Sequence, residues 1–438
     1  MSFLAALVSL FGTVLTPAAL FLCSAGIVSR TGIGKILDMK PLFLREKGRR
    51  NRQSPLSALS LALAGTLGVG NITGVASALT AGGPGAVFWM WAGAAAVIPV
   101  KYAEVRLALR YRIRSGEGWT GGAMYTIRDG LGGAVKTDRG RRFVYALASF
   151  FAVLCALNAL VTGNLVQANA AVSLFGGNRM IAGAVLSLLV ALSAAFGTRR
   201  IEKLAARMMP PLTLFYIGAA LFAILPRARL LPALIGEIFS SAFSTRAVMG
   251  GAVGFTAREA MRYGVMRGIF SNEAGCGTSP TAHASADTDS EEKQAALGVI
   301  EVVFDTMILC TLTAFVLLTA DAEGGILPWG ETGDAAPAAM AAFGALAGEA
   351  VSFAVRISTA LFAFASIVAQ IYYGLTAVRF LSEKKGARGC FLALSVFTPI
   401  LGAAVSPGLM WTAADLLLGF MTAVNCAVLL RLRGTLRP

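Results

Sequence analysis

The sequence Gly65-Thr66-Leu67-Gly68-Val69-Gly70-Asn71 lies in the middle of an apolar stretch, residues 56–81, that is long enough to cross a lipid bilayer. Three glycines and two polar side chains weaken a helix at that depth. Lipid offers no hydrogen-bond partner to an opened backbone, so such an interruption is tolerated only where the peptide groups face a ligand or a water-filled cavity. This pattern is typical of proteins that build a binding site near the middle of the membrane.

Composition identifies the whole chain as a membrane protein. Of its 438 residues, 56% are hydrophobic and only 14% are charged, which exceeds what a soluble domain tolerates. The formal net charge of +15 is spread over alternate loops, so we interpret it as an orientation signal and not as a nucleic-acid surface. The six cysteines are scattered and His283 is the only histidine, which argues against a transition-metal centre, a haem or a disulfide framework. We expect a polytopic membrane protein without a cofactor.

Apolar segments near the length of a spanning helix occur at about eleven places: residues 3–28, 56–80, 86–108, 143–171, 179–197, 205–226, 231–255, 295–319, 350–380, 389–406 and 409–430. Basic residues crowd every second connection, starting after the first segment. The connection at 81–85 has no charge, and that at 321–334 has only acidic residues. This alternation predicts about eleven spans, an outside N-terminus and a cytoplasmic C-terminus. We expect the membrane to be a prokaryotic inner membrane.

The spans after the first divide into two halves of opposite orientation. Glycine-rich interruptions open each half, at 65–71 and, more weakly, at Gly250, Gly251 and Gly254. We therefore predict an extra helix and basic loop (1–54), a first inverted repeat (55–230) and a second inverted repeat (231–438), with a site at their interface. Glycines also allow close helix packing, but the polar residues inside the first interruption favour a site.

Other polar residues within the predicted spans are candidates, because each needs a partner or a cavity. Asn164 and Gln167 are three residues apart on one helix face, which suits either the orientation of an amino-acid head group or a bridge between helices. Glu301 and Asp305 share another face. They are suited to holding a cation, relaying protons or pairing with a basic residue such as Arg356.

Six strings, in order along almost the whole chain, resemble the signature of the alanine or glycine:cation symporter family, also called sodium:alanine symporters. They are AGTLGVGNITGVASALTAGGPGAVFWMW (64–91), KYAE (101–104), GGAMY (121–125), GNLVQAN (163–169), RGIFSNEAGCGTSPTAHA (267–284) and LFAFASIVAQIYYG (361–374). The resemblance implies a LeuT-like fold of two inverted five-helix repeats preceded by one extra helix. It also implies sodium-driven, or sometimes proton-driven, uptake of a small neutral amino acid and no enzyme activity.

Two departures from the family pattern bear on the substrate. Gln370 stands where the family usually has tryptophan, and Leu375 stands where it usually has glutamate. A tryptophan facing the pocket would set its volume, so Gln370 favours a larger or more polar substrate than alanine. A proton-coupled carrier for such a substrate and a passive facilitator or channel are the alternative functions, and the oligomeric state is left open.

The expected mechanism is alternating access around a fixed site, with peptide groups freed at the two interruptions binding the substrate carboxylate, its ammonium and the cation. The predicted substrate-binding residues are Gly65, Thr66, Gly68, Gly70, Asn71, Gln167, Gly250, Gly251 and Gln370. The predicted cation ligands are Thr66, Leu67 and Ser366, although a serine also bonds its own helix readily. A polar cytoplasmic segment at 267–280 is predicted to form an inner gate with Arg267, Asn272 and Glu273.

Overall fold

The computed structural model describes residues 3–43, 54–115, 118–195, 198–244, 247–249, 253–331 and 335–436. These ranges are almost entirely helical, apart from two short antiparallel strand pairs. Eight of the described helices are long and apolar enough to cross a membrane, and a pair bent by 60° raises the number to nine. The predicted all-α membrane architecture is therefore confirmed.

The N-terminal helix that the sequence predicts is present. It consists of α1 (Phe3–Leu10), a π-helical turn (Phe11–Leu15), α2 (Thr16–Thr31) and the short α3 (Ile33–Ile36). Gly32 separates α2 from α3 with a φ of 80°, a value that L side chains rarely adopt. Residues 44–53 of the basic connection lie outside the described residues.

The predicted first interruption is confirmed. α4 (Pro55–Thr66) and α5 (Thr73–Gly82) meet at 60° and are separated by Leu67–Ile72, which we call break 1. The helical ladder stops because Leu67 adopts a ψ of 68° and Gly68 adopts extended dihedrals (φ −107°, ψ −142°). A single 3-10 turn, Val69–Asn71, then leads into α5.

The remainder of the first half is made of long helices and short connections. In chain order these are α6 (Gly85–Arg110), the hairpin β1 (Ile113–Ser115) and β2 (Gly118–Thr120), α7 (Ala123–Tyr125), α8 (Gly132–Ala134), α9 (Asp138–Asn158), α10 (Val166–Ser173), α11 (Arg179–Ala195) and α12 (Thr198–Ile224). A π-helical segment, Ala159–Leu165, joins α9 to α10 without a break. α6 lies against the second half of the chain, and α12 packs on α4.

The predicted spanning helix at 231–255 is wrong. α13 (Leu231–Phe243) ends where Ser244 turns to extended backbone, and an antiparallel pair follows, β3 (Ala247–Met249) with β4 (Val253–Phe255). A run of valines and glycines is as apolar as a helix but fits a hairpin, so hydropathy alone misread it. The predicted site residues Gly250 and Gly251 lie outside the described residues.

The second interrupted helix lies further along the chain. α14 (Ala257–Asn272) starts with a capping box between Thr256 and Glu259, and α15 (Pro280–Ala284) continues after Glu273–Ser279, which we call break 2. Gly275 and Gly277 both have positive φ, and Glu273 is the one non-glycine residue in the described ranges that does. The polar segment at 267–280, predicted as an inner gate, is therefore buried helix as far as Asn272 and an interruption after it, and its gate role stays a prediction.

The second half ends with helices that enclose both breaks. They are α16 (Glu291–Val302), a π-helical segment (Val303–Cys310), α17 (Thr311–Gly324), α18 (Ala336–Ala347), α19 (Glu349–Leu381), α20 (Lys385–Ala404) and α21 (Pro407–Leu432). α19 packs against α4, α9 and α12, and α14 packs against α5 and α6. A count of about eleven spans stays a prediction, since it requires both the 17-residue α11 and the α14–α15 pair to cross the bilayer.

The connections gather at two ends of the bundle. At one end, Arg110 Nε donates to Glu291 Oε1 over 3.0 Å, and we call this the Arg110 end. At the other, the Gly330 amide donates to the Thr80 carbonyl over 2.7 Å, and we call this the Gly330 end. The described part of the acidic connection, residues 325–331, and the end of α6 therefore lie on opposite sides. The boundaries of the two inverted repeats stay predictions.

Candidate transport site

Break 1 is held open by side chains from two other helices. Gln167 Oε1, on α10, accepts a hydrogen bond of 2.8 Å from the Val69 amide. Ser366 Oγ, on α19, donates over 3.1 Å to the Gly65 carbonyl. Both partners were predicted from sequence, and the structure brings both to break 1. These bonds satisfy peptide groups at the end of α4 and in break 1.

Asn71 links break 1 to the π-helical segment between α16 and α17. Its Nδ2 donates to Asp305 Oδ1 over 2.7 Å and to the Asp305 carbonyl over 3.2 Å. Its own carbonyl accepts from Thr313 Oγ1 over 2.7 Å. Asn71 Oδ1 is buried and has no hydrogen-bond partner among the described residues. Break 1 therefore presents one acceptor that a ligand donor would satisfy.

The glycines of break 1 are required by close neighbours. A Cβ at Gly68 would collide with the Gln167 carboxamide. A Cβ at Gly70 would lie 3.1 Å from the Phe270 ring and 3.3 Å from the Ser271 Cα. Phe270 and Ser271 are in the last turn of α14, so break 1 lies directly against the helix that leads into break 2.

Thr66 and Leu67, two of the predicted cation ligands, already use several of their polar groups within the chain. The Thr66 hydroxyl donates to the Ala62 carbonyl of its own helix over 3.2 Å, so its side chain is already engaged. The Thr66 carbonyl accepts from the Gly68 amide over 2.9 Å. Leu67 caps α4 and its amide donates to the Leu63 carbonyl over 2.7 Å. Any cation role of Thr66 or Leu67 would therefore involve a carbonyl oxygen.

Break 2 is held by a buried lysine that sequence reasoning did not single out. Lys101 Nζ, on α6, donates to the Asn272 carbonyl over 3.1 Å, to Ser279 Oγ, and to Glu301 Oε1 over 3.0 Å. The side chains of Lys101 and Glu301 are both 0% exposed. A charge in the middle of an apolar span is expensive, and that signal was available in the sequence.

Glu301 pairs with His283 and with Lys101 of α6, and not with Arg356. Its Oε2 lies 2.7 Å from His283 Nε2, and His283 Nδ1 lies 2.7 Å from Gln294 Nε2. Lys101 satisfies the other oxygen. Of the interpretations open for Glu301, the structure shows the ion pair, with Lys101 in place of Arg356. Glu301 and Asp305 are linked indirectly, because Asn272 accepts from Lys101 and donates to Thr306, which donates to Asp305.

Glu104 fixes the middle of break 2. Its Oε2 accepts from the Gly275 amide over 3.1 Å, and its Oε1 accepts from Asn425 Nδ2 on α21. Asn425 Nδ2 also donates to the Gly275 carbonyl over 2.9 Å. Break 2 is therefore clamped from α6 and α21.

Glu273 and Gln370 form a direct contact between break 2 and α19. Gln370 Nε2 donates to Glu273 Oε1, and Thr278 Oγ1 donates to Glu273 Oε2 over 2.7 Å. The aliphatic part of the Gln370 side chain packs directly against Gly163, where a Cβ would collide with it. Gln370 Oε1 is buried without a partner in the described part of the chain. Gln370, which is predicted to bind substrate, is therefore in direct contact with Glu273, which is predicted to act as a gate.

Arg267 lies apart from the other predicted gate residues. Its Nη1 pairs with Asp415 Oδ1 on α21 over 2.7 Å, and its guanidinium carbon lies 3.9 Å from the centroid of the Trp411 ring. Trp411 lines a narrow cleft together with Thr73 and Ala335, and Ala335 follows the connection at the Gly330 end. The gate role predicted for Arg267 stays a prediction, and its partners Asp415 and Trp411 differ from those of Asn272 and Glu273.

Of the two roles open for Asn164, the structure shows the bridge between helices. Its Nδ2 donates to Thr398 Oγ1 on α20 over 3.1 Å, so it bridges two helices. The π-helical segment that ends at Leu165 rotates the chain between Asn164 and Gln167. Only Gln167 of the two therefore contacts break 1 in the hydrogen bonds described above.

A known protein family covers nearly the whole chain. The model of the sodium:alanine symporter family matches residues 3–437. The chain belongs to this family. The resemblance predicted from the six strings is confirmed, and as a family member the chain is a multi-pass transporter and not an enzyme.

Individual relatives point the same way. This family member is 37% identical over 388 residues to the sodium/alanine symporter AgcS of Methanococcus maripaludis, covering 87% of this chain and 82% of that protein. It is 36% identical over 385 residues to the probable sodium/glutamine symporter GlnT of Bacillus subtilis, covering 86% and 75%. The crystal structure of MhsT in complex with L-phenylalanine matches with a TM-score of 0.58 at 17% identity, over 89% of each chain. That likeness concerns the fold alone and confirms the LeuT-like architecture.

Proposed function

We propose that this chain is a secondary symporter that couples uptake of a small neutral amino acid, of the alanine or glycine type, to inward sodium movement by alternating access. The observation that carries the proposal is the contact between break 1 and the end of α14, where Gly70 lies against Phe270 and Ser271. Two interrupted helices side by side bring peptide groups outside the helical ladder into one region. Such groups bind both a carboxylate and a cation in the interior of a membrane.

The substrate head group is assigned to break 1. Peptide groups at Gly65, Thr66, Gly68 and Gly70 bind it, and the N-terminal end of α5 faces the carboxylate with its partial positive charge. The free Oδ1 of Asn71 accepts from the ammonium. Gln167 keeps the Val69 amide in place. Gln370 contributes to the part of the site that touches the substrate side chain.

Sodium is assigned to oxygens at the end of α4. The Ser366 hydroxyl lies 3.1 Å from the Gly65 carbonyl, so two oxygens already adjoin each other there. The carbonyls of Thr66 and Leu67 complete the proposed shell. One cation moving down about 100 mV supplies roughly 2.3 kcal/mol, and a tenfold concentration ratio adds about 1.4 kcal/mol. The sum of about 3.7 kcal/mol sustains roughly a 500-fold substrate gradient without ATP.

The proposed orientation follows from the two ends of the bundle. We assign the Arg110 end to the cytoplasm, because Lys35 of the first basic connection and Thr435, next to the basic C-terminal residues, both contact residues at that end. The N-terminus is then outside, the C-terminus is in the cytoplasm, and the membrane is a prokaryotic inner membrane.

The test is uptake of a panel of labelled amino acids into proteoliposomes that contain the purified full chain. We expect saturable uptake of alanine or glycine with an inward sodium gradient, and none when choline replaces sodium. The function is rejected if no amino acid moves in response to any cation gradient. Uptake that needs no gradient and saturates weakly would instead identify a passive facilitator or channel.

A proton-coupled carrier for a larger or more polar amino acid is the second candidate. The buried and unpartnered Oε1 of Gln370 favours a substrate whose side chain donates a hydrogen bond. The same panel decides, provided that glutamine and serine are included and that an inward proton gradient is imposed without sodium.

A further inference from the structure

Lys101 lies inside the protein with its ammonium surrounded by oxygens from both ends of break 2. The Asn272 carbonyl belongs to the last residue of α14, and Ser279 precedes the first residue of α15. Glu301 on α16 provides the third oxygen. An ammonium has three donors, so the three acceptors use all of them.

The position of the ammonium matches what an interrupted helix needs. The last carbonyls of a helix have no partner within the helix and carry its partial negative charge. Lys101 meets one of these carbonyls directly at Asn272. A lysine that served only as the ion-pair partner of Glu301 would not need to bond break 2. Lys101 donates two of its three hydrogen bonds there, to Asn272 and Ser279.

We propose that Lys101 is a tethered cation: its ammonium holds α14 and α15 apart in their interrupted conformation, so that break 2 needs no diffusible ion. Break 1 differs, because its peptide groups are held by the neutral side chains of Gln167, Thr313 and Ser366. The exchangeable cation therefore belongs at break 1, and Lys101 is a positioning residue for break 2. The assignment depends on the geometry of break 2 and not on the identity of the transported amino acid.

Native cysteines report on break 2 without any transport measurement. Cys276 lies within break 2, is 0% exposed, and donates from Sγ to the Glu273 carbonyl over 3.0 Å. Cys310 lies in the π-helical segment beside break 1 and is also buried. The rate at which a membrane-permeant maleimide labels each cysteine is measured by mass spectrometry of peptides. Cys276 reports on break 2, and Cys310, which contacts Asn71 of break 1 and Ser271 of α14, is the reference.

The first variant is Lys101→Met, which keeps an unbranched side chain one heavy atom shorter and removes the charge. We expect labelling of Cys276 to accelerate roughly tenfold or more and that of Cys310 to change by less than about twofold, because break 2 alone loses its cation. The matched control is Lys35→Met, which removes a partly exposed lysine 3.9 Å from Glu292 and should leave both rates unchanged. Labelling of Cys276 at the wild-type rate, or equal acceleration at both cysteines, would overturn the proposal.

A second pair of variants separates the cation from the ion pair. Lys101→Met combined with Glu301→Gln removes both buried charges, which favours a folded protein, and should still expose Cys276. Lys101→Ala leaves space for methylammonium, and this small cation should slow the labelling of Cys276 back toward the wild-type rate. If the double variant protects Cys276 fully, or if methylammonium changes nothing, the tethered cation is wrong. These assays contain no amino acid and no gradient, so their failure is distinguishable from failure of the proposed transport function.

Discussion

The side-chain amide of Asn71 donates a 2.7 Å hydrogen bond to the carboxylate of Asp305, 234 residues further along the chain. Through this contact, break 1 is tied to a π-helical segment, a conformation that is frequent at functional sites. Thr306 Oγ1 donates to the second oxygen of the same carboxylate over 2.9 Å. A ligand that moves Asn71 therefore acts directly on the α16–α17 helix.

Asn71→Ala should reduce transport strongly. The change leaves the buried carboxylate of Asp305 without one of its donors and removes the free acceptor of break 1, which costs about 1–3 kcal/mol and lowers uptake roughly tenfold or more. The measurement is the initial rate of sodium-driven uptake per folded protein. Asn164→Ala is the matched control, since Asn164 is equally buried but bridges to Thr398, and it should retain most of the rate. Equal rates in both variants would remove Asn71 from the site.

Gly68→Ala should abolish uptake, whereas Gly74→Ala should preserve it. A Cβ at Gly68 collides with the Gln167 carboxamide, which would have to release the Val69 amide. A Cβ at Gly74, on α5, meets nothing within 4 Å. We expect a loss of roughly 100-fold for the first variant and none for the second, measured as the initial rate of uptake. Comparable activity of the two variants would show that the geometry of break 1 is not needed.

The first interruption was predictable from sequence because its signal is local. Glycines and polar side chains within an apolar span have no place in a lipid-facing helix, and the structure shows break 1 at that position. The helix ends and the approximate order of spans follow from the same one-dimensional information. Gln167 and Ser366 were found because polar side chains in apolar spans stand out.

Break 2 was missed by the same reasoning because most of its signal is long-range. The segment at 267–280 is polar enough to resemble a loop, but its polar groups have partners on distant helices, as Lys101 shows for Asn272 and Ser279. Gly275 and Gly277, just after a helical pattern, were the local sign of a helix interruption. Conversely, the glycines near 250 suggested an interruption in a region where the flanking residues form strands.

Gln370→Leu should change substrate preference without abolishing transport. The leucine fills a similar volume beside Gly163 but removes the unpartnered oxygen and the donor to Glu273. We expect uptake of serine or glutamine to fall roughly fivefold relative to alanine, because a buried polar contact to the substrate is lost. The measurement is competition between labelled alanine and each unlabelled amino acid.

The control for this change is Thr359→Val on the same helix. The Thr359 hydroxyl bonds the Val355 carbonyl of its own helix over 2.7 Å, so its loss should leave the preference unchanged. An unaltered ratio in Gln370→Leu would show that the carboxamide does not contact the substrate side chain.

Glu273→Gln should slow transport while leaving substrate affinity near the wild-type value. The carboxylate of Glu273 accepts from both Gln370 and Thr278, and a carboxamide has only one oxygen to offer them. One donor is then unsatisfied in the conformation described here, so we expect the maximal rate to fall roughly tenfold with KM nearly constant. Glu323→Gln is the control, since Glu323 is exposed and pairs with Arg227 at the Gly330 end. Unchanged uptake kinetics would reject the gating role of Glu273.

Asp415→Asn should open the protein toward the Gly330 end. Arg267 is almost fully buried between Asp415 and the Trp411 ring, so removing its counter-charge leaves a cation that is strongly destabilised unless water enters. The cleft beside Trp411 offers water a route to this pair, because it reaches Ala335 at that end. A charged thiosulfonate added from outside should therefore modify Ala170→Cys, which lines the cleft, roughly tenfold faster in the Asp415→Asn background. Breaking the exposed pair at the same end with Arg227→Gln should leave the rate unchanged. The same rate in all three backgrounds would mean that the pair between Arg267 and Asp415 does not close this route, and that the gate at the Gly330 end depends on other residues.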